Sequence, residues 1–183
     1  LGGLIGDWLG GRIYQFIKDG KDGKVDPVTA KERSKAKALK KAMKDAEKEG
    51  LTGDEAEEFI ADRMDSWKLN NLKNEHMMLR EWQGITADQT EIDITGKDAM
   101  KDYTNAYIKI GDEVMKVIKS TELKVYHTSR TNKGKLKYQW NTLEVVRGWG
   151  GTKASEHRNA SFIDFLGSSE PIIKNGQIIA RTN

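Results

Sequence analysis

The residues best suited to chemistry lie in the second half of the chain. Glu122, Leu123 and Lys124 form an acid-x-Lys pattern on a predicted strand. Metal-dependent nucleases use such a pair to hold a cation and to activate water beside a second carboxylate. Asp112 is the nearest upstream acid, but the sequence predicts a helix there. Because alternating charges are common on an exposed strand, we expect a solvated strand face rather than a metal site.

The histidines offer a second kind of chemistry. None of the three has a partner at the spacing of a helix-borne metal pair. The densest polar group lies in a loop after a glycine-rich segment, where catalytic residues often gather, and comprises Glu156, His157, Arg158 and Asn159. A nuclease or toxin-like domain with His127 or His157 as general base is therefore the enzyme alternative. We expect instead a surface loop, no enzymatic activity and no metal or cofactor.

Positive charge gathers on two predicted surfaces. One is the helix over residues 29–49, with Lys37, Lys40, Lys41 and Lys44, and the other is the hairpin over residues 122–140, with Arg130, Lys133, Lys135 and Trp140. Such surfaces can neutralise phosphates and stack bases. A nucleic-acid-binding module is one alternative function, and ordinary solvated faces with core aromatics are the simpler interpretation.

The beginning of the chain is rich in glycine and apolar residues. Apolar residues recur at steps of three and four over residues 1–18, which predicts an amphipathic helix. Glycines four apart cost the helix about 1 kcal/mol each relative to Ala, and close approach of another helix offsets such a cost. We therefore predict a packing surface for other subunits, as a homo-oligomer or a multi-component assembly. Its residues are Gly2, Gly6, Gly10, Leu4, Ile5, Trp8 and Leu9.

Contact of residues 1–18 with a membrane is the alternative role for this helix. Asp7 and Arg12 interrupt the apolar run, which is also shorter than the roughly 20 residues that span a bilayer. The chain begins at Leu1 without Met, so we expect a processed product or a segment of a larger polypeptide.

The remaining signals predict helices first and strands afterwards. Capping boxes at Thr29 and Thr52 open two helices, the second running to about Gly84, and Thr95 opens a further helix through Val117. After Ser120, ELKVYHTS and KLKYQW alternate as a hairpin, and the Asn-Gly pair in PIIKNGQIIAR predicts another.

These elements predict an α+β fold in three parts. They are a glycine-rich apolar helix and loop (residues 1–27), a helical region with a long charged hairpin and a fourth helix (28–120), and a small antiparallel β region with two hairpins (121–183). The chain has 183 residues, a formal net charge of +3 and no cysteine. Disulfides, thiolate zinc sites and cysteine nucleophiles are thereby excluded.

The composition of the chain resembles that of bacteriophage tail tape-measure and genome-ejection proteins. The resemblance comes from the segment GGLIGDWLGG, which is followed by charged helices and a terminal β region. The resemblance covers about the first tenth of the chain and rests on composition. It implies a virion protein whose Gly-rich apolar segment takes part in membrane passage and whose other end docks inside the tail. Our leading hypothesis is accordingly a structural component of a larger assembly, with the virion as its location.

Overall fold

The computed structural model describes residues 29–181. Within this range the chain forms two compact units that divide between Asn71 and Leu72. The predicted glycine-faced helix, with its packing residues and its proposed membrane contact, lies outside the described residues.

The first unit contains two helices, α1 (Ala30–Lys48) and α2 (Gly53–Leu72). The Thr29 hydroxyl accepts the Glu32 N–H at 3.1 Å and a Glu32 carboxylate oxygen accepts the Thr29 N–H at 3.3 Å, so the predicted capping box is present. Trp67 Nε1 donates to Ser34 Oγ at 3.0 Å and ties α2 to α1. Among residues 29–181, no helix is both long and apolar enough to cross a membrane.

The second unit is built on a six-stranded antiparallel sheet. Its strands lie side by side in the order β1-β2-β5-β4-β3-β6. They are β1 (Met77–Leu79), β2 (Glu91–Gly96), β3 (Tyr107–Ile110), β4 (Glu113–Tyr126), β5 (Leu136–Val146) and β6 (Ile163–Gly167). The edges approach each other, because the Leu79 N–H donates to the Ser161 carbonyl at 2.9 Å and the Leu79 carbonyl accepts the Ala160 N–H at 2.8 Å. The sheet therefore nearly closes into a barrel.

The interior of this near-barrel is apolar. Ile92 and Ile94 from β2, Ile108 and Ile110 from β3, and Leu143 from β5 are fully buried there. The alternation of these residues with outward-facing ones fits strands that bury one face.

A short hairpin, β7 (Pro171–Lys174) and β8 (Gln177–Arg181), forms a separate two-stranded sheet. Asn175 and Gly176 both have positive φ, 54° and 75°, as a two-residue type I′ turn requires. The hairpin predicted from this Asn-Gly pair is confirmed, as is the hairpin between β4 and β5. Ile173 and Ile178 pack against a small cluster on the outside of the barrel.

The predicted fold class is wrong. Residues 29–181 contain two α-helices rather than the three predicted there, and the β region is a six-stranded near-barrel with a small hairpin sheet rather than two hairpins alone. The helix predicted to reach Gly84 ends at Leu72, and the helix predicted from Thr95 to Val117 is replaced by the end of β2, by β3 and by the beginning of β4.

The error over residues 95–117 has a physical cause. Apolar residues at positions 100, 103, 107, 110, 114 and 117 match a helical period, but two turns break the segment into strands. Gly111 has φ +59°, and Ile110 pairs directly with Glu113, so Gly111 and Asp112 form a two-residue hairpin turn of type II′ geometry. This Gly-Asp pair between apolar runs was the overlooked signal.

Candidate nucleic-acid interface

The longest strands of the sheet continue past their neighbours as a two-stranded ribbon, called here the arm (residues 122–140). β3 pairs with β4 only as far as Lys116, and β2 pairs with β5 only from Asn141 onward. Between Glu122 and His127 the arm extends about 17 Å at about 3.4 Å per residue. At its tip, the His127 N–H donates to the Lys135 carbonyl at 2.8 Å.

A buried polar group fixes the base of the arm. Asn141 is fully buried, and its amide donates to the carbonyls of Ala99 at 3.0 Å and Lys101 at 2.8 Å. Its Oδ1 accepts the Ser120 hydroxyl at 3.0 Å. Because buried polar groups are costly unless they are bonded, this set fixes where the apolar barrel ends and the exposed ribbon begins.

The arm carries positive charge without compensation. It contains five cationic side chains, all exposed, and the single carboxylate of Glu122; the cations are Lys124, Arg130, Lys133, Lys135 and Lys137. Within residues 29–181, none of the five forms an ion pair. The arm is therefore an electropositive surface available to an anion.

Aromatic rings lie on the outward face of the arm. Tyr138 and Trp140 are two residues apart on β5, so they share one face, and their ring centroids are 5.6 Å apart with planes inclined by 23°. Arg80, which follows β1, places its guanidinium carbon 4.8 Å from the Trp140 centroid and 5.2 Å from that of Tyr138. The arm thus combines ring surfaces with cations, the pair of features that single-stranded nucleic acids require.

The helix α1, which the sequence predicts as a second basic surface, differs from the arm in its charge balance. Lys37, Lys40, Lys41 and Lys44 are exposed on α1, and Lys41 forms an ion pair with Asp45 at 3.4 Å. α1 has eight basic and three acidic residues, but α2, which is packed against it, has six acidic and two basic ones. The field of α1 is therefore largely cancelled by α2, whereas the arm carries five cations and a single carboxylate.

The strongest polar cluster in the β unit surrounds Glu113, which the sequence did not single out. The Glu113 carboxylate is fully buried and accepts two bonds from the Arg147 guanidinium, at 2.7 and 2.9 Å. His157 Nε2 lies 2.8 Å from Glu113 Oε1, and the backbone N–H groups of Gly148 and Ser155 each donate at 3.0 Å. Five donors thus converge on one carboxylate.

The Arg147 guanidinium also uses its full hydrogen-bonding capacity. Besides its two bonds to Glu113, it donates to the carbonyls of Thr86, Gln89 and Ser155 at 2.6 to 2.8 Å. All five guanidinium N–H groups are used. The Glu113–Arg147 pair therefore holds three loops together at one end of the barrel.

The electrostatics of Glu113 follow from these contacts. Burial raises the pKa of its carboxyl, but the hydrogen bonds from Arg147, His157, Ser155 and Gly148 outweigh burial and lower the pKa to about 2. The ionised carboxylate is an acceptor only, so His157 Nε2 carries the proton in this contact. A carboxylate with five donors has little acceptor capacity left for a substrate, and we assign the cluster a structural role.

The structure separates the residues of the enzyme alternatives. Asp112 lies in the β3–β4 turn, and Glu122 lies ten residues further along the chain, which corresponds to at most about 33 Å at strand spacing. His157 points inward to Glu113, and Asn159 accepts the Glu81 N–H at 2.9 Å. Within residues 29–181, no group of three or more metal-binding side chains is suited to hold an ion.

The residues that sequence reasoning missed here are Glu113, Arg147 and Arg80. Glu113 lay inside the wrongly predicted helix, so its position beside a hairpin turn was hidden. Arg80 lay in a predicted helix as well, far in sequence from the rings that it contacts. Nothing in the sequence pattern joins Arg80 to Trp140, because their contact depends on the pairing of β2 with both β1 and β5.

Comparison with protein-family models, with curated proteins and with solved structures found no match to this chain.

Proposed function

We propose that the β unit is a nucleic-acid-binding module whose contact surface is the arm. The observation that carries the proposal is the charge of the arm, where five exposed cations, which form no ion pair with any described residue, accompany one carboxylate. Lys and Arg that contact phosphates release condensed counterions, which makes such charge an effective source of affinity for nucleic acid.

The shape of the arm supports the same function. A two-stranded β-ribbon fits the major groove of a duplex and can also follow a single strand. The arm is a ribbon of this kind, and its cations lie along β4, β5 and the tip loop.

A matched pair of triple variants tests the proposal. The arm variant is Arg130→Ala, Lys133→Ala and Lys135→Ala, and the control is Lys37→Ala, Lys40→Ala and Lys44→Ala on α1. Both variants remove three exposed positive charges. Fluorescence anisotropy with labelled oligonucleotides is measured across about 50 to 200 mM salt.

We expect the arm variant to reduce the slope of log affinity against log salt by about 2 to 3, since each lost phosphate contact contributes about 0.7 to 0.9. The α1 control should keep a slope near that of the original protein. Equal effects of the two variants would mean that only net charge matters, and the assignment of the surface to the arm would then be wrong.

A second candidate function, assembly with other protein subunits, is favoured by the outer face of the β7–β8 hairpin. Ile172 and Ile179 are 44% and 60% exposed. Exposed apolar side chains of this size are typical of protein contacts when they lie together. If this function is correct, Ile172→Ser with Ile179→Ser should lower the oligomeric mass measured by light scattering, and an unchanged mass would exclude this face as the contact.

The hypothesis that residues 1–18 form a packing surface for other subunits stays a prediction. Replacing Gly2, Gly6 and Gly10 by Leu should abolish assembly if the glycine face is the contact surface.

A further inference from the structure

We infer that the nucleic acid bound by the arm is single-stranded and that one of its bases stacks on the ring pair (Tyr138 and Trp140). This inference rests on the proposed function, since it specifies the ligand of the same surface. It adds a base-binding subsite to a surface that was assigned from its charge and its ribbon shape.

The ring pair presents a continuous aromatic surface. Its two rings come from one strand, are nearly parallel and lie 5.6 Å apart. Tyr138 is 41% exposed although it is aromatic, and Trp140 is partly exposed. Lys137 Nζ also lies 5.7 Å from the Tyr138 centroid. A planar base gains stacking energy from such rings whatever its sequence.

Arg80 shows that the ring pair accepts a planar, positively charged group. Its guanidinium lies over both rings, and within residues 29–181 it forms no ion pair. In the complex, a base takes the place of the guanidinium over the rings, and Arg80 turns to the adjoining phosphate. This exchange keeps a stacking partner on the rings and gives Arg80 an anion.

The surroundings of Arg80 set the direction of the bound strand. Glu81 Oε1 accepts the Asp93 N–H at 2.8 Å, and Thr142 Oγ1 donates to Asp93 Oδ1 at 2.7 Å. Two carboxyl groups therefore lie on the β2 side of the ring pair. Phosphates are repelled from this side, and the strand therefore runs from the ring pair toward the cationic tip of the arm.

A duplex cannot use the ring pair in this way. Its bases are already stacked on one another, and extruding one costs a few kcal/mol. A duplex would meet the arm only through its phosphates, and the rings would add nothing to its affinity.

The test compares a labelled single strand of about 20 thymidines with a duplex of the same length, both bound to the full chain. The stacking variants are Trp140→Ala and Tyr138→Ala, and Trp140→Phe is the conservative variant. Phe165→Ala is the matched control, because Phe165 is an exposed aromatic residue on β6 outside the arm. Circular dichroism checks that each variant is folded.

We expect Trp140→Ala and Tyr138→Ala each to weaken single-strand binding by at least about fivefold, which corresponds to about 1 kcal/mol per stacked base. Trp140→Phe should retain most of the affinity, and Phe165→Ala should retain all of it. Arg80→Ala should reduce the salt slope for the single strand by about 0.7, because one phosphate contact is lost.

Three outcomes distinguish the two proposals. Preference for the single strand with loss in the Trp140 and Tyr138 variants supports the inference. Equal binding of both oligonucleotides without any effect of these variants overturns the inference and leaves the arm as a phosphate-binding surface. Absence of binding to either oligonucleotide at low salt overturns the proposed function and the inference together.

Discussion

Replacing the buried carboxylate by Glu113→Gln should strongly destabilise the β unit near neutral pH. The variant keeps the size of the side chain but removes the charge that faces Arg147 and presents an amide N–H₂ to groups that are themselves donors. Leaving a buried cation without its partner typically costs about 3 to 5 kcal/mol. The cost falls on the β unit because every partner of Glu113 lies in it.

The magnitude can be worked out from the pKa of Glu113. Its value is about 2 in the folded protein, against a reference of 4.5, a difference of about 2.5 units. At about 1.4 kcal/mol per unit, the ionised carboxylate stabilises the fold by roughly 3 to 4 kcal/mol at neutral pH.

The sign of the pH dependence follows from the same value. Because the pKa of Glu113 is lowered in the folded protein, the contribution of its charge to stability is complete well above pH 4.5 and is lost as the pH falls toward 2. At about pH 3 less than half of this contribution should remain. The difference in unfolding free energy between the original protein and Glu113→Gln should therefore shrink by about half between pH 7 and pH 3.

Urea unfolding followed by tryptophan fluorescence at both pH values measures this difference. The control is Glu144→Gln, which removes an exposed carboxylate from β5 and should change stability by less than about 0.5 kcal/mol. A loss below about 1 kcal/mol for Glu113→Gln at pH 7, or an equal loss at both pH values, would refute the assignment of a stabilising charge to Glu113.

Three further substitutions test other parts of the fold by the same unfolding measurement. Gly96→Ala should cost about 2 kcal/mol or more, because Gly96 has φ +99° and a Cβ there would overlap the His76 carbonyl oxygen. The control Gly134→Ala, with φ +84° in open space, should cost only about 1 kcal/mol. Equal losses for the two variants would contradict the role of the overlap. Asn141→Ala should cost about 2 kcal/mol by removing the buried amide that donates to the carbonyls of Ala99 and Lys101, and a neutral effect would mean that water replaces the amide. Thr29→Ala should lower the stability of the helical unit by about 1 kcal/mol through loss of the capping box, whereas an unchanged transition would show that the first turn of α1 adds nothing to that stability.

Local signals predicted the elements that depend on a few neighbouring residues. The capping box at Thr29 needs only the side chains three residues apart, and the Asn175–Gly176 turn needs only two residues that tolerate positive φ. Both could be recognised because their physics is contained in a short window of sequence.

The barrel could not be predicted in the same way. Its sheet pairs β2 with β5 and β3 with β6, so its partners are about 50 residues apart. Between Thr95 and Val117, apolar spacing fitted a helix as well as two strands, and the deciding feature was the pairing of β3 with strands on both sides. Tertiary pairing therefore overrode the local period.

The candidate site was predicted in part. The cations and Trp140 of the hairpin were identified from composition and alternation, whereas Arg80 and the charge balance between α1 and α2 required the folded chain. The sequence indicated two basic surfaces and showed that acids dilute the charge of the helix, and the packing of acidic α2 against α1 separates the two surfaces further.

One strand, β4, begins at the Glu113 cluster and ends in the arm. The nine residue steps from Glu113 to Glu122 correspond to about 30 Å of extended chain, well beyond the distance over which the effects of two substitutions usually couple. Changes in the tip of the arm and changes at Glu113 should therefore add independently. If the arm binds nucleic acid as proposed, its ligand preference can therefore change by substitution at the tip while the barrel that carries it keeps its stability.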